Sequence, residues 1–236
     1  MVDGHSKYKG IVAIIQARMG SSRLPGKVLM KLPADGKRTL LDQIIERIPQ
    51  QIKYIIATSN KSKDDELSLR YPNVFRGSEN NVLERFYLAA KDKGFEHIVR
   101  LTADNPLIDP ELMLESIDAH LKSGADYTCT EGLPLGTNFE IISWSALVKA
   151  QMNSNDPYER EHVSPYIRNN DDFKKYFHQF KGFGDFRLTI DYPSDYDMVE
   201  RIFSELGNDV SLKEVNMYLI ANPNVAGINQ NNQQLS

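Results

Sequence analysis

The sequence predicts a three-layer α/β/α fold around a mixed, mostly parallel sheet. Three observations predict it. Short apolar, β-branched runs alternate with segments of helical periodicity through the first half of the chain. The first such run ends directly in a loop rich in glycine, serine and cations, the place where open α/β sheets bind ligands. A length of 236 residues, 41% hydrophobic and 25% charged, suits one α/β domain of ordinary globular composition.

Each element follows from its residues. Residues 11–15 (IVAII) read as a buried first strand, and residues 40–48 as a helix with Leu41, Ile44, Ile45 and Ile48 on one face. A second strand is expected over 54–58, a charged helix around 64–69 and a short strand at Val74 and Phe75. An amphipathic helix over 81–91 precedes a fourth strand at 97–101, and a helix over 110–121 begins with Pro110, which suits a first helical turn. This alternation describes βαβ units, with helices on both faces of a parallel sheet. After about residue 125 the pattern changes. Strands are expected over 127–130, 139–142 and 186–190, and helices over 145–152, 159–169, 195–206 and 212–219. Residues 1–228 are read as a single domain, and the Asn/Gln-rich residues 229–236 as a frayed tail.

Composition bounds the partners. A formal net charge of -4 argues against a nucleic-acid binder, which usually presents a basic face. Cys129 is the only cysteine, so no intrachain disulfide can form, which fits a cytoplasmic location. The polar start MVDGHSKYKG does not resemble a signal peptide, and the first apolar run is too short to span a membrane.

The first loop carries the strongest signal. Its sequence, QARMGSSRLPGKVL from Gln16 to Leu29, places Arg18, Arg23 and Lys27 within ten residues, beside the hydroxyls of Ser21 and Ser22. Gly20 and Gly26 let the backbone approach a ligand with its N–H groups exposed. Three cations this close repel one another unless an anion such as a triphosphate neutralises them. The loop is not a Walker A motif: Gly20 and Gly26 are one residue too far apart, and Val28 stands where a magnesium-binding Ser or Thr would follow Lys27.

Carboxylates complete this chemistry, because magnesium held by carboxylates is the usual counter-charge beside a triphosphate. Asp104, in RLTADNP, follows the strand at 97–101, so its side chain is expected at the carboxyl edge of the sheet. The alternative is an Asp that caps a turn. Asp191, in RLTIDYP, repeats the pattern of Asp104. Asp195 is a third acidic candidate, better read as a helix N-terminal cap.

QARMGSSRLPGK, followed in order by RGSENNVLERFYLAA, RLTADNPLIDP, EREHVSPYI and RLTIDYPSDYDMV, resembles the SpsF-type (spore-coat polysaccharide) cytidylyltransferases, relatives of the CMP-Kdo and CMP-sialate synthetases. The resemblance runs from about Ile11 to Ile228. It implies a nucleotide-diphospho-sugar transferase-like fold, which is Rossmann-like, and transfer of CMP from CTP to an acidic sugar or related acceptor. It implies that Arg18, Arg23 and Lys27 contact the triphosphate, and that the loop from Gln16 and Ala17 through Gly20, Ser21 and Ser22 lines the nucleotide. It also implies Mg2+ on Asp104 and Asp191. Ser78 and Arg85, in the region that flanks the cytosine in the family, become base readers, although Ser78 or Asn80 could instead cap the helix that follows. A homodimer is expected by the same resemblance.

The acceptor is expected in the later half. Asn138 and Glu140 lie on a strand candidate after Gly136, and EREHVSPYI brings Glu161 and His162 to a helix start. His162 can bind or orient an acceptor group, while Glu159 and Glu161 also suit the positive end of a helix dipole. The remaining histidines show no metal spacing, which argues against zinc. Two other classes stand beside this reading: a GT-A type glycosyltransferase consuming a nucleotide sugar, and a catalytically inactive nucleotide-binding relative.

Overall fold

The computed structural model describes residues 7–233. Seven strands form one sheet in the order β3-β2-β1-β4-β6-β5-β7. The central strand β1 (Ile11–Gln16) lies parallel to β2 (Lys53–Ser59) and β4 (His97–Thr102), and β3 (Val74–Gly77) continues the parallel half beside β2. Beyond β4 the direction reverses. β6 (Glu140–Ser143) is antiparallel to both β4 and β5 (Tyr127–Glu131), and β7 (Lys175–Gln179) closes the sheet parallel to β5. The sheet is mixed and mostly parallel, as its sequence predicts.

Alternation along β1 divides its side chains between two cores. Ile11, Ala13 and Ile15 join one apolar cluster, Val12 and Ile14 the other, so both faces must be covered. The first face is covered by α1 (Leu40–Glu46), α4 (Pro110–Ser123), α8 (Pro193–Leu206) and α9 (Leu212–Ala221), which contribute Leu41, Met113, Val199 and Val215. The second is covered by α3 (Val82–Ala90), α5 (Trp144–Asn153) and α7 (Pro165–Arg168), through Phe86, Leu147 and Ile167. The short helices α2 (Asp65–Arg70), α6 (Pro157–His162) and α10 (Pro223–Ala226) complete the chain. None of the helices is long and apolar enough to cross a membrane among the described residues.

Three expectations are corrected. Residues 186–190 form no strand: Leu188 and Ile190 are buried, but only one isolated bridge, Leu135 to Arg187, ties the segment to a neighbour in the manner of a sheet. Burial, not sheet pairing, explains that apolar run. The helix expected over 159–169 is broken into α6 and α7, because buried Val163 takes a φ of 70° and Pro165 cannot donate to a continuing helix. A positive φ at a β-branched residue costs on the order of 1–3 kcal/mol, and such strain gathers at functional sites. The frayed tail is the third. Asn229 is buried and Asn232 donates to Asp195, so the segment is pinned as far as that residue, and residues 234–236 lie outside the described chain. Strand β7 was not foreseen.

Candidate functional site

β1 ends in the middle of the sheet, and the first loop therefore emerges at its carboxyl edge beside β4. The loop is held from below by Asp64, which is fully buried and accepts from the backbone N–H of Met19 at 2.7 Å and from the hydroxyl of Ser59. Gly26 adopts a left-handed conformation (φ 71°) and starts a 3₁₀ turn, Lys27–Leu29, that carries the Lys27 side chain inward. A cavity of about 200 Å³ opens above the loop, with Gln16, Arg18, Ser21, Ser22, Arg23 and Lys27 on its wall. The loop residues singled out by sequence thus come together, apart from Ala17, which is buried, and Gly20, which does not line the cavity. Gln16 Oε1 is buried there without a hydrogen-bond partner among the described residues. A buried acceptor left open on a cavity wall is suited to a ligand's donor.

Asp104 and Asp191 meet at one point. The Lys27 ammonium lies 3.2 Å from Asp104 and 3.1 Å from Asp191, and donates to the carbonyl of Ile190 at 2.6 Å. The two RLT segments are tied together, with the N–H of Ile190 donating to the carbonyl of Asp104 at 2.8 Å. Gly136 (φ 94°) allows the loop before β6 to press on this joint, where a side chain would strike the backbone of Thr189. Arg23 reaches Asp191 at 3.3 Å and lies over the ring of Tyr192. Arg187 bridges Asp191 and Asp195 at 2.9 and 3.0 Å.

Asp195 is not the N-cap of α8, which is Tyr192, but stands at its third position and accepts from the N–H groups of Asp191 and Tyr192 as the acidic half of a capping box. Burial would raise its carboxyl, but hydrogen bonds from Arg187, Asn232 and those two N–H groups hold it below the usual range. No cluster of three or more His, Cys, Asp or Glu poised for a metal occurs among the described residues. Two converging carboxylates nevertheless fit a hard divalent ion, since magnesium commonly takes one or two of them and completes its shell with phosphate oxygens and water.

Ser78 and Arg85 lie outside the cavity wall. Arg85 is 2% exposed and donates to the carbonyl of Ser78 at 2.7 Å, with its Nε unpartnered. Burial, then the charge of Arg18, pushes its pKa down to about 10. Arg85 therefore props the Ser78 turn from beneath. Helix α3 is capped by Asn81, not by Ser78 or Asn80.

A second cavity, of about 620 Å³, adjoins the first: Arg100 and Thr102 line both. It lies between the carboxyl edge of the sheet and the α6–α7 pair. Asn138, Glu140 and His162 face it, and Glu161 does not, being exposed on the outer side of α6. Glu140 is already engaged. It accepts from Arg100 at 2.5 Å, Tyr127 at 2.5 Å and Ser164 at 2.6 Å. Burial opposes its charge, while the Arg100 guanidinium and the two hydroxyls hold its carboxyl below the usual range. His162 packs against Tyr158 with ring centroids 4.4 Å apart. Arg100 and Arg187 were missed as site residues, although both open an RLT segment. Asp64 offered no signal, since KSKDD reads as an exposed helix start.

Residues 12–223 match the model of a family described as Cytidylyltransferase. The chain is 38% identical over 235 residues to the spore coat polysaccharide biosynthesis protein SpsF of Bacillus subtilis, covering 92% of this chain and 96% of that protein. It is 27% identical over 218 residues to a 3-deoxy-manno-octulosonate cytidylyltransferase of Lawsonia intracellularis, covering 86% and 84% respectively. Among solved structures, a cytidylyltransferase from Leptospira borgpetersenii superposes with a TM-score of 0.84 at 31% identity, covering 96% of this chain and 99% of that one.

Proposed function

We propose the reaction from one premise: the chain belongs to the cytidylyltransferase family and is a CTP-dependent nucleotidyltransferase. It transfers CMP to an acidic sugar or related small acceptor in the cytoplasm, with release of pyrophosphate, in polysaccharide or glycoconjugate synthesis. The observation that carries this reading is the Lys27 ammonium shared by Asp104 and Asp191, on a loop that also presents Arg18 and Arg23 to the same cavity.

The charges support a divalent ion. Asp104, Asp191 and Asp195 match Lys27, Arg23 and Arg187, which leaves Arg18 as the cavity's unmatched cation on the loop, among the described residues. A triphosphate adds several negative charges to this balance. Magnesium held by Asp104 and Asp191 restores it and, when bound, supplies Lewis-acid polarisation of the α-phosphate. Arg18 holds the triphosphate, and Lys27 and Arg23 hold the departing pyrophosphate. The base lies toward Ala17 and the Ser78 turn that Arg85 supports. The acceptor occupies the larger cavity among Asn138, His162 and the Glu140–Arg100 pair, and reaches the nucleotide past Thr102. Its oxygen attacks the α-phosphorus in line. The new P–O bond forms as the α–β phosphoanhydride bond breaks, and the hydroxyl proton passes to water.

Pyrophosphate release, measured with magnesium for each of the four nucleoside triphosphates against a panel of acidic sugars, tests the reading. CTP with one acceptor should release pyrophosphate. Asp104→Asn should lower kcat by about 10²–10³-fold, the usual effect of losing one electrostatic contact in a transition state, with little change in thermal unfolding. Near-normal turnover in that variant removes Asp104 from the chemistry, and failure to bind any triphosphate removes the whole reading.

A further inference from the structure

A row of side chains runs outward from the shared wall of the two cavities. Arg100 on β4 sits opposite Glu140 on β6, which in turn sits opposite Cys129 on β5. Residues opposed across strands share one face, so the row crosses two strand spacings, roughly 10 Å, from Arg100 to Cys129. Its near end is electrically closed, because Arg100 is matched by Glu140, both of whose oxygens are in use.

The far end is different. Arg168, the last residue of α7, lines the cavity there, and its charge opposes the rise that burial and Glu140 impose on the Cys129 thiol. No carboxylate lies within ion-pair distance of its guanidinium among the described residues. The acids that follow it in the chain are taken, Asp171 by Lys175 and Asp172 by Lys149, and Glu131, which also acts on the Cys129 thiol, accepts from Gln179. The cavity therefore offers a matched cation near the nucleotide and an unmatched one away from it.

We propose that Arg168 binds an anionic group, carboxylate or phosphate, at the end of the acceptor remote from its attacking oxygen. This rests on the assignment of the larger cavity to the acceptor. An acceptor whose only charge adjoins the attacking oxygen would place that charge beside Arg100, where Glu140 already stands, and would leave Arg168 unanswered. The charge pattern selects a sugar or polyol acid with a terminal anion, and the cavity of about 620 Å³ has room for both of its ends.

Cys129, the chain's only cysteine, supplies a readout that needs no turnover. In the wild type, an anionic aromatic disulfide should label Cys129 faster, relative to a neutral one, than in Arg168→Gln. Glycerol 3-phosphate and terminal sugar phosphates should slow that labelling more than their parent polyols do, and the difference should vanish in Arg168→Gln. Calorimetry of the same pairs gives this comparison independently of thiol access. In pyrophosphate release with CTP, Arg168→Gln should lower kcat/KM for terminally charged acceptors by tenfold or more, leave the KM for CTP unchanged, and be partly rescued by Arg168→Lys. Comparing sugars with terminal phosphate against those with terminal carboxylate identifies the anion. Equal binding of phosphates and parent polyols by the wild type, or equal losses on charged and uncharged acceptors in the variant, overturns the proposal. Either result with CTP binding intact defeats this inference alone, whereas loss of CTP binding by the wild type defeats the function beneath it.

Discussion

A carboxylate without exposed surface is costly unless its oxygens are satisfied, and Asp64 meets that condition by holding the first loop. One oxygen takes the N–H of Met19, the other the hydroxyl of Ser59, so β2 and the first loop are joined through a single side chain. Asp64→Ala strands both donors in a buried place. At about 1–3 kcal/mol per stranded group, this should cost roughly 3 kcal/mol and lower Tm by about 10 °C. CTP affinity should fall with it, because the backbone that presents Arg18 and Gly20 loses its anchor. Asp64→Asn keeps one acceptor for Met19 and should lie between the two. Urea unfolding and calorimetric CTP titration read the two effects separately; a folded Asp64→Ala protein with wild-type CTP affinity would show that the loop holds its shape unaided.

At the scale of elements, β4, α4 and β5 are joined by a buried histidine, His120, and a half-buried one, His97. His120 Nδ1 lies 2.8 Å from the Thr128 hydroxyl and its Nε2 lies 2.9 Å from His97 Nδ1, with the rings edge to face. Burial, then the neighbouring His97, pushes the His120 pKa down to about 4, and burial lowers that of His97, while Asp126 and Glu96 oppose these shifts. Both folded values lie below the unfolded value of 6.5, so the unfolded chain binds more protons as acid is added. The contribution is complete above about pH 6.5 and is lost as pH falls toward 4, reaching up to about 3 kcal/mol for His120 at 1.36 kcal/mol per unit. Urea midpoints of wild type and His120→Gln should therefore converge as pH drops from 7 to 4.5; parallel curves would show that the pair does not titrate on unfolding. β1 announced itself because a strand buried on both faces must be continuously apolar. β7 (KYFHQ) did not, because it lies at the sheet edge with its side chains half-buried or exposed, and an edge strand needs no apolar run. FRLTI misled for the opposite reason, since Leu188 and Ile190 are apolar to fill a core, not to join a ladder. In the site, the convergence of Arg18, Arg23, Lys27 and Asp104 was legible because loops after parallel strands meet at one edge, and that of Asp191 because RLTIDYP repeats RLTADNP. The engagement of Glu140 and the burial of Arg85 were not, because both depend on partners far along the chain.

Across the whole molecule, the C-terminal segment closes onto the Lys27–Asp104–Asp191 cluster through Asp195. Asn229 donates to Asp195 at 2.9 Å and to the carbonyl of Arg187 at 2.9 Å, and Asn232 adds a further donor to Asp195 at 2.8 Å. Asp195 in turn holds Arg187, and Arg187 holds Asp191, which shares Lys27 with Asp104. Asn229 and Lys27, more than 200 positions apart, are thus linked through one hydrogen bond and three ion pairs, and the Asn-rich composition that suggested a frayed end supplies short amide donors for a buried carboxylate. Removing residues 229–236 leaves Asp195 with fewer donors and frees Arg187 to turn fully toward it, which weakens its hold on Asp191. The truncated protein should lose about 2–4 kcal/mol of stability, from hydrogen bonds to a charged group at about 1.5–3 kcal/mol each less what water restores. It should also lose several-fold in kcat, with a smaller change in CTP affinity, because Asp191 is displaced while Arg18 and the loop backbone are untouched. Asn229→Ala, which removes one side chain and no backbone, should show the same pattern at smaller size. A truncated protein that melts and turns over like the full chain would mean that Asp195 is satisfied by Arg187 and the start of α8 alone, and that the site ends at residue 228.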